Sequence, residues 1–522
     1  MMDSDALLAG LPARLSDIPR RWALSAPDAP ALHERGRSWT YAELDGAIAG
    51  AAALLRELDV RPGDRLMVVG ENCAALVALT FAAAAADAWI VHVNGRMSAR
   101  EIDAIREHCG ARRAIYTVSG CADAAAHAMR HGAMAPAPGL PGVPALLGEL
   151  AIGPLNEGCV PEPVYASNRE QVAALVYTTG TTGAAKGVML THRNLLFVAA
   201  VSSALRGLTP SDRAYGVLPI SHVYGLASVM LGTLSAGACL YLAPRFAPDT
   251  LLKALDEDGL TILQGVPAMY ARLLESMGGA GARLPNRLRF AYAGGSPLDA
   301  SLKREVEKLL GVALHNGYGL TESAPTISQT RLDAPRADTS VGLAIPGVEL
   351  RLCGRDGAGV AHGEAGQLWV RGPNVMKGYY RAPELSAAAL SADGWLNTGD
   401  IARRDADGAL FIVGRAKELI IRSGFNVYPL EVETILNAHP AVTQSAVVGR
   451  GAADGNEEVI AFVEIAPRWR IGAEELRAYL APLLAPYKCP SEIVMMATLP
   501  AAATGKVLKG QLRKLAEEMR RG

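Results

Sequence analysis

Tyr177-Thr178-Thr179-Gly180-Thr181-Thr182-Gly183-Ala184-Ala185-Lys186-Gly187 follows directly on the apolar run Ala173 to Val176. Four threonine hydroxyls, three glycines and one lysine are gathered at the end of what reads as a buried strand. Glycines let the backbone turn tightly and present N–H groups, hydroxyls donate to phosphate oxygens, and Lys186 adds a positive charge. A polyphosphate, most simply a nucleotide, is the guest this chemistry suits. An ordinary surface turn rarely combines these elements behind a buried strand. The Walker pattern fails at both flanks of the lysine, because Ala185 precedes it and Gly187 stands where a magnesium-binding hydroxyl belongs.

Outward from this loop, helical runs such as Tyr41 to Leu58 and Leu302 to Leu310 alternate with short apolar stretches: Arg65 to Val69, Trp89 to Val93, Ala173 to Tyr177 and Leu288 to Ala293. That alternation predicts a layered α/β architecture. Gly132 to Pro163, rich in Pro, Gly and Ala, reads as an irregular connection. After Gly394 the texture changes. Short strand-like runs (Leu410 to Val413, Leu419 to Arg422, Gln444 to Val448, Val459 to Ile465) enclose helical patterns at Leu430 to Ala438 and Ala473 to Leu484. We therefore expect a large N-terminal domain, 1–416, and a small α+β C-terminal domain, 417–522, with the boundary within Arg415 to Glu418.

The 522 residues are ample for several cores, and half of them are hydrophobic. Lys plus Arg total 51 against 52 for Asp plus Glu, a net charge of -1 with no footprint of a nucleic-acid or membrane-surface binder. Seven cysteines lie far apart without a C-x-x-C pair, so neither a disulfide framework nor a zinc site is expected. Met1 to Leu15 does not read as a secretory signal, and Cys73 to Ala86 is too short to span a bilayer, which makes a cytoplasmic protein the default.

Further motifs follow in order: Leu218-Pro219-Ile220-Ser221-His222-Val223-Tyr224-Gly225, Gly294-Gly295-Ser296-Pro297-Leu298, Asn316-Gly317-Tyr318-Gly319-Leu320-Thr321-Glu322, Gly366-Gln367-Leu368 to Gly378-Tyr379-Tyr380, Gly394-Trp395 to Thr398-Gly399-Asp400, Gly414-Arg415-Ala416-Lys417-Glu418 and Thr504-Gly505-Lys506. With the phosphate loop, this series resembles the AMP-forming acyl-CoA synthetases of the adenylate-forming superfamily, most of all the 4-coumarate:CoA ligase and medium-chain acyl-CoA synthetase branches. Two departures stand out: Ala185 where proline is usual and Gln367 where glutamate is commoner. Losing the proline changes loop entropy by about 0.5 to 1 kcal/mol and touches no reacting group.

The resemblance implies ATP, Mg²⁺ and coenzyme A, and a reaction in which a carboxylic acid becomes an acyl-adenylate before thioester formation. Thr178, Thr179, Gly180, Thr181, Thr182, Gly183 and Lys186 are then the phosphate cradle. Glu322 is the magnesium ligand, with Thr321 beside it. Gly294, Gly295, Ser296, Pro297, Asn316, Gly317, Tyr318 and Gly319 form the adenine pocket, with Tyr318 stacked on the base. Asp400 holds the ribose, and Arg415 reaches the ribose or the phosphate. Lys506 bridges carboxylate and α-phosphate, while Lys509, Arg513 and Lys514 read as a solvated tail. Lys417 marks a hinge about which the small, mobile domain swivels, exchanging Lys506 for Ser423, Gly424 and Phe425 on a pantetheine channel.

For the acid, His222, Tyr224, Gly225, Gly294, Gly319 and Pro325 are the implied pocket, with His222 and Tyr224 gating it. Ala214 to Pro244 contains no Asp, Glu, Lys or Arg. A second carboxylate would need a counter-charge there, so an apolar monocarboxylate, aromatic or fatty, is expected. Buried core accounts for the same uncharged helix. Loading of a carrier-protein phosphopantetheine, a luciferase-like oxygenase and an inactive nucleotide-binding scaffold are the alternatives. The last is disfavoured by the joint presence of Lys186, Glu322, Asp400, Arg415 and Lys506. Partners are small molecules, and a homodimer is left open.

Overall fold

The computed structural model describes residues 4–135, 147–179, 185–279, 281, 283–354, 356–422, 425–452, 456–466, 469–501 and 507–520. Two large sheets carry the N-terminal region. The seven-stranded one runs in the order Gly378–Tyr379, Ala185–Thr191, Val172–Thr179, Trp89–Asn94, Arg65–Gly70, Arg113–Thr117, Leu150–Ile152. The nine-stranded one runs Leu343–Ala344, Thr326–Gln329, Leu314–Gly319, Phe290–Ala293, Ile262–Gly265, Arg213–Gly216, Cys239–Leu242, Pro30–Glu34, Arg37–Thr40. Parallel pairs dominate their centres, as expected for strands that are buried throughout; Arg65–Gly70 has no exposed position.

Helices Ala74–Ala85 and His192–Leu205 join strands of both sheets in one core. The first is apolar all round and almost wholly buried, which is why it lacks the amphipathic period of a surface helix. Helix Tyr41–Glu57 begins where Thr40 and Glu43 close a reciprocal cap, and helix Ala300–Leu310 begins at Asp299, whose carboxylate accepts from Ser301 and Leu302 N–H. The connection 132–163 is less irregular than expected. Leu150–Ile152 adds an antiparallel edge to Arg113–Thr117, a strand too short to be noticed between its Pro- and Gly-rich flanks.

A four-stranded antiparallel sheet follows: Glu349–Cys353, Gly366–Arg371, Leu396–Arg404, Leu410–Arg415. Leu410–Arg415, whose run was grouped with the C-terminal texture, thus pairs backwards with Leu396–Arg404. A single 3₁₀ turn, Ala416–Glu418, comes next. From Ile420 onward the buried apolar side chains form two clusters of their own, built on strands Val442–Gly451, Glu457–Ile465 and Glu492–Met496 with helices Pro429–Asn437, Ala473–Leu480 and Lys509–Met519. The result is a mixed α/β fold with a large N-terminal and a smaller C-terminal unit.

The C-terminal tail is not simply solvated. Leu512 and Ala516, spaced by four, bury one face of helix Lys509–Met519. Lys509 Nζ lies 2.9 Å from Glu418 Oε2 and 2.8 Å from Glu433 Oε1. Burial alone would lower the Lys509 pKa, and the two carboxylates raise it instead. Among the described residues no helix is long and apolar enough to cross a membrane, and the seven cysteines are free thiols.

Candidate active site

The phosphate-loop flanks form a hairpin. Val172–Thr179 pairs antiparallel with Ala185–Thr191, setting Thr178 opposite Lys186 and Tyr177 opposite Gly187. Gly180, Thr181, Thr182 and Gly183 lie outside the described residues. The chain therefore leaves the loop as a strand, whereas a Walker loop opens a helix, which excludes that motif on geometry as well as on sequence.

The second strand of this hairpin positions a carboxylate. Its free edge pairs with Gly378–Tyr379, Tyr379 lying opposite Val188. The Tyr379 hydroxyl donates to Glu322 Oε1 at 2.8 Å, and Lys186 Nζ lies 5.7 Å from the centre of the Tyr379 ring. Burial, reinforced by Glu322, keeps the Tyr379 hydroxyl protonated well above its ordinary range. Glu322 sits on the 3₁₀ turn Thr321–Ser323 that ends strand Leu314–Gly319, and its carbonyl accepts from Met376 N–H at 2.9 Å. Its other carboxylate oxygen, Oε2, has no hydrogen-bond partner among the described residues. One carboxylate suits a magnesium ion whose remaining ligands are phosphate oxygens and water. Among the described residues no group of three His, Cys, Asp or Glu could hold an ion unaided. Tyr379 was not foreseen as a site residue: it appears in the motif series, but nothing in the sequence pairs it with Glu322.

A second carboxylate, Asp400, anchors a separate cluster. Asp400 is 4% exposed, accepts from the Tyr318 hydroxyl at 2.5 Å, and lies 3.1 Å from Arg415 Nε. The register of Leu396–Arg404 against Leu410–Arg415 sets Asp400 directly opposite Arg415. Burial would lower the Arg415 pKa, and Asp400 raises it. Tyr318, expected to stack on a base, also has a polar duty, and burial and Asp400 hold its hydroxyl protonated. Asn316 is a brace more than a wall. Its amide donates to the carbonyls of Thr339 and Ser340, and its oxygen accepts from Gly317 N–H. Ala293 lies beside Asn316 in register, so Gly294 to Pro297 emerge next to the Asn316–Gly319 segment. Gly295 needs φ +81°, and it, Ser296 and Pro297 are exposed.

Before the His222 motif, Asn72 donates through its amide to the carbonyls of Gly216 and Leu218 and accepts from Ile220 N–H. His222 is exposed, and its Nδ1 accepts from Tyr224 N–H at 3.3 Å. The expected helix is present but of π type, Tyr224–Leu231, with every residue buried; such turns are rare and cluster at functional sites. Gly225 is obligatory, since an ideal Cβ there would lie 2.2 Å from Pro219 O. A Cβ on Gly294 would meet the Tyr224 ring at 3.1 Å, and one on Gly319 would lie 1.7 Å from Pro325 O. Ser228 Oγ, 3.3 Å from Thr326 Oγ1, ties the π-helix to the strand after Pro325. Burial pushes the Tyr224 hydroxyl up to about 12, and the charge of Arg206 opposes this. Arg206 lies upstream of the uncharged stretch 214–244 and is buried.

In the C-terminal region, Lys417 is exposed within its turn. Phe425 stacks on Tyr487 with centroids 4.6 Å apart and is 55% exposed. Ser423, Gly424 and Lys506 lie outside the described residues.

A family model described as AMP-binding enzyme matches residues 19–380, and AMP-binding enzyme C-terminal domain matches 431–506. The chain is 36% identical over 504 residues to a feruloyl-CoA synthase from Amycolatopsis sp, covering 96% of this chain and 98% of that protein. It is similar to the ATP-bound crystal structure of MatB from Rhodopseudomonas palustris: TM-score 0.82, 31% identity, 97% and 99% of the two chains covered. It also resembles o-succinylbenzoate coenzyme A synthetase from Bacillus subtilis in complex with ATP and magnesium ion: TM-score 0.80, 29% identity, 95% and 98% covered.

Proposed function

The chain belongs to the AMP-binding enzyme family and is an ATP-dependent, AMP-forming acid:CoA ligase, and we propose that its acid has an apolar body, aromatic or fatty. The observation that carries the site assignment is the convergence, from distant parts of the chain, of Lys186, Tyr379 and Glu322 on one side and Tyr318, Asp400 and Arg415 on the other. The first group suits a triphosphate and the second a ribose.

A carboxylate is a poor acyl donor because oxide would have to leave. Making it an adenylate supplies AMP as the leaving group, and the attack on the α-phosphate needs alignment and charge neutralisation. Lys186 and the loop N–H groups neutralise the outer phosphates. Tyr379 fixes Glu322 by occupying one of its carboxylate oxygens. Glu322 would hold Mg²⁺ through the other, and the ion, when bound, would neutralise phosphate charge. Asp400 accepts from the ribose hydroxyls, kept in place by Tyr318 and Arg415. Lys506 neutralises the charge developing between carboxylate and α-phosphate. The uncharged π-helix and Gly294 line an apolar pocket entered past His222 and Tyr224. For the second half-reaction the unit 417–522 turns about Lys417, replacing Lys506 by Ser423, Gly424 and Phe425, so that a pantetheine thiol reaches the acyl carbon. Free CoA is the acceptor on this reading, and the cytoplasm, which supplies ATP and CoA and keeps thiols reduced, is the location it fits.

The test is pyrophosphate release with ATP and Mg²⁺ across benzoates, cinnamates and short- to medium-chain fatty acids, with and without CoA. AMP and a thioester should form from an apolar acid. Adenylate without thioester would point to a carrier-protein acceptor, and no AMP from any acid would refute the reading.

A further inference from the structure

Arg206 caps helix His192–Leu205 and is 3% exposed. Of the four buried arginines among the described residues, Arg65, Arg112 and Arg450 each have a carboxylate within 4.0 Å, and Arg206 has none. Its Nη1 donates to Gln264 Oε1 at 2.6 Å, its Nη2 donates to Gln329 Oε1 at 3.1 Å, and the guanidinium carbon lies 4.4 Å from the centre of the Tyr292 ring. Gln264 and Gln329 are each 1% exposed. Both amides spend an oxygen on the cation, and the Tyr292 hydroxyl, which donates to Thr330 O, also faces it. Arg206 Nε, Gln264 Nε2 and Gln329 Nε2 are buried without a hydrogen-bond partner among the described residues. A buried cation with a surplus of N–H groups lacks an acceptor, preferably an anionic one.

The cluster borders segments assigned above to the acid and adenine pockets. Gln264 and Tyr292 are paired in register, and the strand carrying Tyr292 runs directly into Gly294. Gln329 is opposite Gly317, where an added Cβ would be 3.5 Å from both the Gln329 Cβ and the Tyr292 ring. The Arg206 guanidinium is near enough for its charge to act on the Tyr224 hydroxyl.

We propose that Arg206, Gln264 and Gln329 form the far end of the acid pocket and bind a hydrogen-bond-accepting oxygen, foremost a carboxylate, at the end of the substrate remote from the reacting carboxylate. This rests on the ligase reading and deepens it: the acid has an apolar body between two polar ends. It also revises the expectation drawn from the uncharged helix, because the counter-charge comes from the neighbouring helix.

The experiment compares kcat/KM for pyrophosphate release with para-carboxy-, para-hydroxy- and para-methylcinnamate, and with suberate against octanoate. Wild type should favour the oxygen-bearing member of a pair over its methyl counterpart by about 10- to 100-fold, carboxylate first if the cation dominates and hydroxyl equal to it if the amides do. Arg206→Met should erase that preference while leaving para-methylcinnamate and octanoate as good or better. Arg206→Lys should keep part of the carboxylate preference, which a merely structural arginine would not predict. Should Arg206→Met not fold, Gln264→Leu and Gln329→Leu each remove one unpaired donor and should narrow the preference. Wild type treating both members of each pair alike, or soluble variants slowing all acids equally, would overturn the assignment while leaving the ligase reading intact. If no acid of either kind releases pyrophosphate, the ligase reading falls, and this inference with it.

Discussion

Gly319→Ala is the sharpest test of how the backbone sets Glu322, the proposed magnesium ligand. An ideal Cβ on Gly319 would sit 1.7 Å from Pro325 O and 2.6 Å from Pro325 C, whereas ordinary contacts begin at 3.4 Å, so this carbonyl must retreat by well over an ångström. It now accepts from Leu320 N–H at 3.1 Å and from Ser323 Oγ at 2.5 Å, the two bonds that shape the turn bearing Glu322. Overpacking of this kind costs about 1 to 3 kcal/mol, and each lost hydrogen bond about 1 more, giving roughly 3 to 5 kcal/mol in all. Glu322 would also leave the Tyr379 hydroxyl, now 2.8 Å away. A displacement of about 1 Å at a reacting centre costs about 100-fold in rate. Thermal unfolding and ATP–pyrophosphate exchange read the two effects separately, with the magnesium requirement rising in parallel. Gly46→Ala is the control: it lies in helix Tyr41–Glu57 with nothing within 4 Å of an added Cβ, so it should stabilise by about 0.5 to 1 kcal/mol and leave activity alone. A Gly319→Ala enzyme with wild-type melting temperature and exchange rate would refute the reasoning.

Glu322→Gln should lower pyrophosphate exchange at least 100-fold, a loss eased by raising magnesium, with little change in melting temperature; undiminished exchange at low magnesium would remove Glu322 from the metal site. Lys506→Ala should abolish exchange yet leave synthetic acyl-AMP able to form thioester with CoA, and Gly424→Leu should do the reverse; one variant blocking both half-reactions without unfolding the protein would sink the domain swivel. Burial lowers the pKa of His92 and His192 to about 3 and that of His315 to about 4, from 6.5. The unfolded chain then binds more protons than the folded one below pH 6.5, so stability is full above that pH and falls as pH drops toward 4, by up to about 1.4 kcal/mol per pH unit for each histidine. Urea melts should show His192→Gln with a shallower acid limb than wild type, since Nδ1 of His192 accepts from Leu15 N–H and has no room for a proton.

Much of the frame was legible because it is written in local pattern. The runs read at Tyr41, Arg65, Trp89 and Leu302 begin within a residue or two of where the chain places its helices and strands. The loop from Tyr177 to Gly187 could be singled out from composition because its hydroxyls, glycines and lysine are concentrated in one stretch. What stayed hidden depends on register between distant segments. Tyr379 meets Glu322 only because Gly378–Tyr379 pairs with the strand leaving the loop, and Asp400 meets Tyr318 across 82 positions. The π-helix hid for a different reason: a segment buried on every side has no polar face, so no period betrays its pitch.

Arg206 shows where charge counting along a chain breaks down. A lone arginine after an apolar helix reads as a solvated helix end, where a cation favours the C-terminal dipole. Its burial is imposed by Gln264 and Gln329, which lie 58 and 123 positions downstream and come together only when strands Ile262–Gly265 and Thr326–Gln329 enter the same sheet. Removing one such amide strips the cation of an acceptor, whereas supplying a ligand oxygen would satisfy cation and amides at once. The polar cluster is therefore costly when empty and favourable when filled, which is the energetic signature of a subsite more than of a structural brace.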